Sequence, residues 1–328
     1  MKDLFKINLQ LFAEMNTNVT SDSGLSVEMK TFYDMNLIDE ATPNLVHDQF
    51  GQKRPIPANG GKKIEFRKFA SLPKATTPLT EGVTPDGKKL NAEKIEAEVS
   101  QYGDYIVQSD VLELTSIDNT IVEATKVLGN QAGLTLDTIT RNILQSGTNV
   151  YYCPKADGTA VESRSALDKT CKLTVDVVKR VVTILKKNNA PKINGDYVAI
   201  IHPYVAYDLM SDPAWIEAHK YATPENIYEG EIGKVAGVRF VETSEAKIYD
   251  GGVFGCLFIA DGAYGTTEVT GGGLQTIVKQ KGSAGTADPL DQRSSIGWKA
   301  MKTAEILIDP YMIRVECKSE FSDDAEAN

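Results

Sequence analysis

Apolar and charged residues alternate along "KKIEFRKFASL", with Ile64, Phe66 and, less regularly, Phe69 on one face. A second run, "KIEAEVSQYGDYIVQ", places Ile95, Ala97 and Val99 in the same way. A period of two predicts half-exposed strands. Between the runs lies "PKATTPLTEGVTPDGKKLNAEK", a polar stretch with three prolines and a "PDG" turn signal. Two strands joined by a long polar tip make a ribbon over residues 51–108. A ribbon of two strands has too little core to be stable alone. It therefore predicts a supporting surface, and a neighbouring subunit is the obvious one.

The period then lengthens. "SIDNTIVEATKVLGNQAGLTLDTITRNILQSG" sets Ile117, Ile121, Leu128, Ala132, Leu136, Ile139 and Ile143 mostly three or four apart. This predicts a helix over about 117–146, capped by Ser116 or Asp118 and closed by Gly147. Gly129 and Gly133 lie inside it, each weakening it by ~1 kcal/mol relative to alanine, and predict close packing or a bend. Earlier, "LSVEMKTFYDMNLIDEA" reads as an amphipathic helix ended by Pro43. Later, "TVDVVKRVVTILKKNN" predicts a helix capped by Thr174, and "YVAYDLMSDPAWIEAHKY" one broken at Pro213. "DYVAIIHP" and "GVFGCLFIAD" read as buried strands by their continuous apolar runs. The alternation suggests an α/β or α+β subdomain over 170–262. "LQTIVKQKG" and "AEILIDPYMIRVECKSE" read as strands around a loop, "GSAGTADPLDQRSSIGWK". The acidic tail "SDDAEAN" is expected to fray, and "MNTNVTSDSG" to be disordered. The leader "MKDLFKINLQLFAE" is amphipathic, and its apolar centre is too short and too polar for a secretory signal.

Composition narrows the function. With 328 residues, 41% hydrophobic and 24% charged, the chain has material for roughly two soluble domains. No apolar run approaches the ~18 residues that span a bilayer. The net charge of -10 argues against binding driven by phosphate neutralisation, although an acidic chain can line a compartment that holds nucleic acid. "GQKRP" and "GGKKIEFRK" concentrate basic residues between Lys53 and Lys68 around one acid, Glu65, which reads first as a solvated strand face. Cys153, Cys171, Cys256 and Cys317 are scattered without a CxxC pair, the pattern of a reduced, cytosolic protein. His47, His202 and His219 are equally dispersed, and His202, in "IIHPY", reads as structural.

Motifs of chemistry are missing. "TGGGLQ" lacks the GK[ST] ending of a phosphate loop. "KGSAG" has lysine where a nucleophile elbow needs glycine. There is no HExxH, and Asp323 and Asp324 sit in the charged tail. No catalytic residue, cofactor or metal ligand is predicted, and the chain reads as something other than an enzyme.

Three blocks carry a resemblance: "NIYEGEIGKVAGVRFVET", "GSAGTADPLDQRSSIGWK" and "ILIDPYMIRVE". In this order they resemble the major capsid proteins of tailed bacteriophages with the Hong Kong 97-like (Johnson) fold, in the branch of the N4-like phages. The resemblance implies an α+β fold: an N-terminal arm (1–50), an extended E-loop (51–108), a peripheral (P) domain with a long spine helix (109–169), an axial (A) domain (170–262), and P-domain return strands with the acidic tail (263–328). It implies a homo-oligomer of hexamers and pentamers with portal and scaffolding partners, closing as an icosahedral virion shell around double-stranded DNA without sequence-specific binding, assembled in the host bacterial cytoplasm, with no membrane and no cofactor. Candidate inter-subunit contacts are Glu229, Glu231, Lys234 and Arg239, against the plainer reading of an ordinary turn and strand, and Lys63, Arg67 and Lys68 on the ribbon. Some relatives crosslink a lysine to an asparagine, but nothing marks Lys63, Lys68 or Lys74 as reactive. "KINLQLFA" before Glu14 resembles a segment that a cysteine protease removes from a ribosomal protein in Firmicutes, which implies cleavage between Ala13 and Glu14. The alternative is a helix lining the inner wall. Two other function classes stay open: a bacterial encapsulin-like nanocompartment shell, which shares the fold, and an unidentified enzyme.

Overall fold

A computed structural model describes residues 17–18, 46–57, 61–69, 72–79, 81–84, 86–116, 120–220, 233–268, 273–283, 285–322 and 325–328. The leader and the helix expected at 25–42 lie outside them. In chain order the strands are β1 (Thr17–Asn18), β2 (Gln52–Lys53), β3 (Lys63–Phe69), β4 (Ala92–Glu98), β5 (Ser100–Ser109), β6 (Val150–Tyr152), β7 (Tyr197–Ile201), β8 (Lys234–Val235), β9 (Val238–Glu242), β10 (Ile248–Tyr249), β11 (Val253–Ile259), β12 (Tyr264–Glu268), β13 (Gln275–Lys279), β14 (Arg293–Ile306) and β15 (Met312–Cys317). The helices are α1 (Asp110–Thr115), α2 (Thr120–Leu144), α3 (Val175–Lys187), α4 (Pro203–Met210) and α5 (Pro213–Lys220). The chain divides into two compact units.

The larger unit holds residues 43–100, 133–273 and 301–328. Its main sheet runs β6-β15-β11-β7-β9-β8, and β10 also pairs with β11. Every residue of β7 and β11 is buried, as their apolar runs predict for strands covered on both faces. Tyr197, Ala199 and Ile201 join one apolar cluster with α3, while Val198 and Ile200 join another with Leu144, Leu257 and Ile259. α3 forms where its valines recur at helical spacing: Val177, Val178, Val181, Val182 and Leu185 are buried. Thr174 caps it, its hydroxyl accepting from Val177 N at 3.4 Å. At the break between α4 and α5, Asp212 accepts from Ala214 N (2.9 Å) and from Val175 N (2.8 Å), tying the starts of α5 and α3. β12 pairs with residues 302–306 of β14 on one side and with β2 on the other.

The tail corrects an expectation. Asn328 is pinned rather than frayed: its side chain accepts from Ile248 N (2.9 Å) and donates to Ala246 O (3.2 Å), and its own N–H donates to Ile248 O (3.2 Å). An asparagine amide carries a donor and an acceptor, so it can stand in for a strand partner.

The smaller unit holds residues 1–42, 101–132 and 274–300. β5 lies between β1 and β14, and β13 pairs antiparallel with residues 295–299 of β14. Here β14 overturns the loop expected at "RSSIGWK". Ser294, Ile296, Trp298 and Ala300 are buried at alternate positions. The inward positions include serine and alanine, so the strand's period was masked by small residues. α1 was not predicted, because its six residues bury Leu112 alone. Ser116 closes α1 through its N–H to Leu112 O, 2.9 Å; Asp118 lies outside the described residues. α2 is that long helix, 25 residues from Thr120. Leu128 and Ala132 are buried, Ile139 is half-buried, and the side chain of Ile121 lies outside the described residues. A Cβ on Gly129 would meet open space, so close packing is not its role.

Leu128 is 4% exposed. Leu128→Asp would bury an unpaired carboxylate, and a loss of roughly 3 kcal/mol or more in urea unfolding is expected. A change under about 0.5 kcal/mol, the size of a surface substitution, would mean that this face of α2 carries no core.

Candidate assembly surfaces

The ribbon is an antiparallel pair from Lys63↔Glu98 to Phe69↔Ala92. The second alternating run divides at Val99: residues up to Glu98 stay in the ribbon, and those from Ser100 enter β5. Phe66 anchors the ribbon to its own chain. It is buried, and a Cβ on Gly265 would come within 3.0 Å of its ring, so glycine there leaves the space that the phenyl fills. On the outer face Lys94 reaches Glu65 at 2.5 Å and Glu96 at 2.6 Å. Its bonds to Glu65 and then Glu96 push the Lys94 ammonium up, and Lys94 holds the Glu96 carboxyl down. These groups are exposed, so such pairs add little to stability. Residues 72–79, 81–84 and 86–91 form no helix or strand and are exposed throughout. Leu72, Leu79, Val83 and Leu90 expose 55–77% of their surface.

The candidate contacts separate. Glu229 and Glu231 lie outside the described residues, as does the side chain of Lys68. Lys234, expected to reach a neighbour, has a partner in its own chain: its Nζ is 2.5 Å from Asp196 Oδ2. The antiparallel pairing of β8 with β9, itself beside β7, brings it to Asp196 at the start of β7. Arg239 lies over the Phe50 ring at 5.5 Å, and β9 around it alternates buried and half-buried. Lys63 is 3.9 Å from Glu96. Arg67 is exposed, and no ion pair is seen for it among the described residues.

Sequence reasoning missed a buried polar cluster. Glu316, on β15, is fully buried and holds Arg164 through two bonds of 2.7 and 2.6 Å. Arg314 Nε stands 2.9 Å from the same carboxylate, a charge contact rather than an aligned hydrogen bond. Arg314 also donates to the carbonyls of Gln145 and Gly147, closing the end of α2. Arg164 lies 3.5 Å from the Tyr249 ring centre. These partners are 152 residues apart in the chain, and no local pattern announces them. His47 binds Asp137 through both its N–H (2.9 Å) and Nδ1 (2.7 Å), fixing residues 46–50 to α2. The cysteines are free and buried, and Cys256 and Cys317 lie 3.9 Å apart between adjacent strands. No metal-binding group is found among the described residues.

His202 is structural, as read. It caps α4 by accepting from Tyr204 N at 3.2 Å, and sits between the Tyr204 and Phe254 rings. Burial lowers its pKa to about 4. In the unfolded chain it protonates near 6.5. Between these values the unfolded state binds more protons, so stability falls as pH drops from about 6.5 to about 4, by roughly 3 kcal/mol in all. His202→Asn keeps a capping side chain and should flatten this part of a stability–pH curve. An unchanged slope would assign the titration elsewhere.

The sequence signature described as "Phage capsid protein" matches residues 92–314, more than half of the chain. The chain belongs to the phage capsid protein family. No curated protein matches it. Solved structures agree on the fold. The capsid structure of cyanophage P-SCSP1u is 15% identical with a TM-score of 0.68, covering 92% of this chain and 96% of that one. The capsid of Ralstonia phage GP4 is 14% identical with a TM-score of 0.61, covering 85% and 89%. The SrpI encapsulin of Synechococcus elongatus PCC 7942 is more distant, 9% identical with a TM-score of 0.52, covering 84% and 88%. This capsid protein therefore has the Hong Kong 97-like α+β fold, and it is a structural major capsid protein of the virion shell.

Proposed function

We propose that copies of this chain meet as hexamers and pentamers and that the ribbon tip is the arm by which each grips its neighbour. The observation that carries this is the tip itself: a long exposed segment with four large apolar side chains and no core of its own. Extended arms supply heterologous contact area without a larger core, and a specific interface needs at least ~1,200 Å². In this layout residues 1–50 are the N-terminal arm, 51–108 the E-loop, 109–169 and 263–328 the P domain, and 170–262 the A domain. The family match favours a phage head over an encapsulin shell, and the three sequence blocks favour the N4-like branch. The net charge of -10 suits a wall that encloses double-stranded DNA without holding it. Portal and scaffolding partners, assembly in the host cytoplasm, and removal of residues 1–13 before Glu14 complete the reading.

Negative-stain images of the purified protein test it. Closed shells or ring-shaped capsomers are expected; small monodisperse particles at all concentrations would overturn it. On virions from the native host, an intact mass starting at Glu14 is expected, and a full-length mass would rule out the cleavage.

A further inference from the structure

At the root of the ribbon lies a cleft of about 450 Å³. Phe66, Ile95, Leu307 and Tyr311 supply apolar wall, and Arg54 and Arg67 stand on it with exposed side chains. Among the described residues neither arginine has a carboxylate partner. Arg54 lies only over the Phe66 ring, at 5.9 Å. By contrast, Arg141, Arg164, Arg180, Arg293 and Arg314 all reach a carboxylate or a carbonyl oxygen, and Arg239 rests on the Phe50 ring away from this cleft. Arg67 also stands directly opposite Lys94 across the ladder. A like-charge pair at that position is unfavourable, and Lys94 is already held by Glu65 and Glu96. The ribbon thus keeps a guanidinium that its own fold does not use.

We propose that this cleft is a docking site for an extended, carboxylate-bearing segment of a second copy of this chain, its apolar side chain on the cleft wall and its carboxylate forked by Arg54 and Arg67. Charge complementarity selects the occupant. The chain carries 45 acidic against 35 basic residues, so a neighbouring copy presents carboxylates to this locally basic root. Guanidinium forks match carboxylates in two parallel bonds. A nucleic-acid backbone fits less well, because it needs an extended basic face and this wall also carries Asp261. The proposal rests on the shell reading above.

The test uses the full chain. Arg54→Glu with Arg67→Glu should leave the thermal midpoint of the subunit within a few degrees, since both side chains are exposed, and should lower the yield of closed shells at least tenfold. Arg54→Lys with Arg67→Lys should restore part of the yield. A photo-reactive phenylalanine analogue in place of Gln52, which lines the same cleft, should crosslink to an Asp- or Glu-containing peptide. In shells mixed from ¹⁵N- and ¹⁴N-labelled subunits, that crosslink should join two copies. Normal shell yield from the double charge reversal, or crosslinks confined to one chain, to another protein or to nucleic acid, would overturn the docking site and leave the shell reading standing. Wild-type protein that never assembles would overturn both.

Discussion

Replacing residues 72–91 by a short glycine–serine turn is expected to abolish closed shells while the subunit stays folded. The change removes only segments that are exposed and form no helix or strand, together with the few positions between them. It spares the β3–β4 ladder and the Phe66 anchor against Gly265. No buried residue described in the structure is lost, so the unfolding midpoint of the isolated subunit should move little. The four exposed apolar side chains should then have no task except at an interface. Solubility should rise, and sedimentation should show the subunit or small oligomers in place of shells. Wild-type yields of closed shells would show that the tip carries no contact.

Glu316→Ala is expected to be strongly destabilising, more so than Leu128→Asp or His202→Asn. The carboxylate is fully buried and serves two arginines, of which Arg314 is itself largely buried. Removing one partner of a buried charge cluster leaves the rest uncompensated, at a cost of about 3–5 kcal/mol. The damage should also reach the turn that follows α2, where Arg314 holds the Gln145 and Gly147 carbonyls. Chemical unfolding measures it directly. A midpoint lowered by less than about 1 kcal/mol equivalent, near the upper bound for a surface pair, would show that water replaces the carboxylate. Glu316→Gln keeps the shape and one acceptor, and should fall between.

Where one side-chain period runs unbroken, the sequence was legible. Thr174 and the valines of α3 announce both cap and buried face, and the apolar runs of β7 and β11 announce central strands. Legibility fails where the period is carried by small residues, as in β14, or where it continues across a change of sheet, as at Val99. It fails again for contacts that only tertiary structure creates. The Glu316–Arg164 pair is one, and Asn328 on β10 another. The candidate surfaces divide the same way. The ribbon was visible in its alternation, whereas Lys234 reads as a free surface charge until β8 folds against β9 and brings it to Asp196. Arg54 and Arg67 stood within a basic run that resembled an ordinary solvated face; only the cleft beneath them sets them apart.

The position of β15 has a consequence for the order in which the chain is made. This strand inserts between β6 and β11, so the main sheet receives a central member from residues 312–317, which are made after every other strand of that sheet. Contacts of such long sequence separation form late and slowly. A nascent chain therefore emerges with β11 still missing one neighbour and Arg164 without its carboxylate. Translation must pass Cys317 before the core can close. A chain that stops short of residue 312 lacks both the strand between β6 and β11 and the carboxylate that holds Arg164, so a wall built from many identical parts draws its bricks from chains translated past that point.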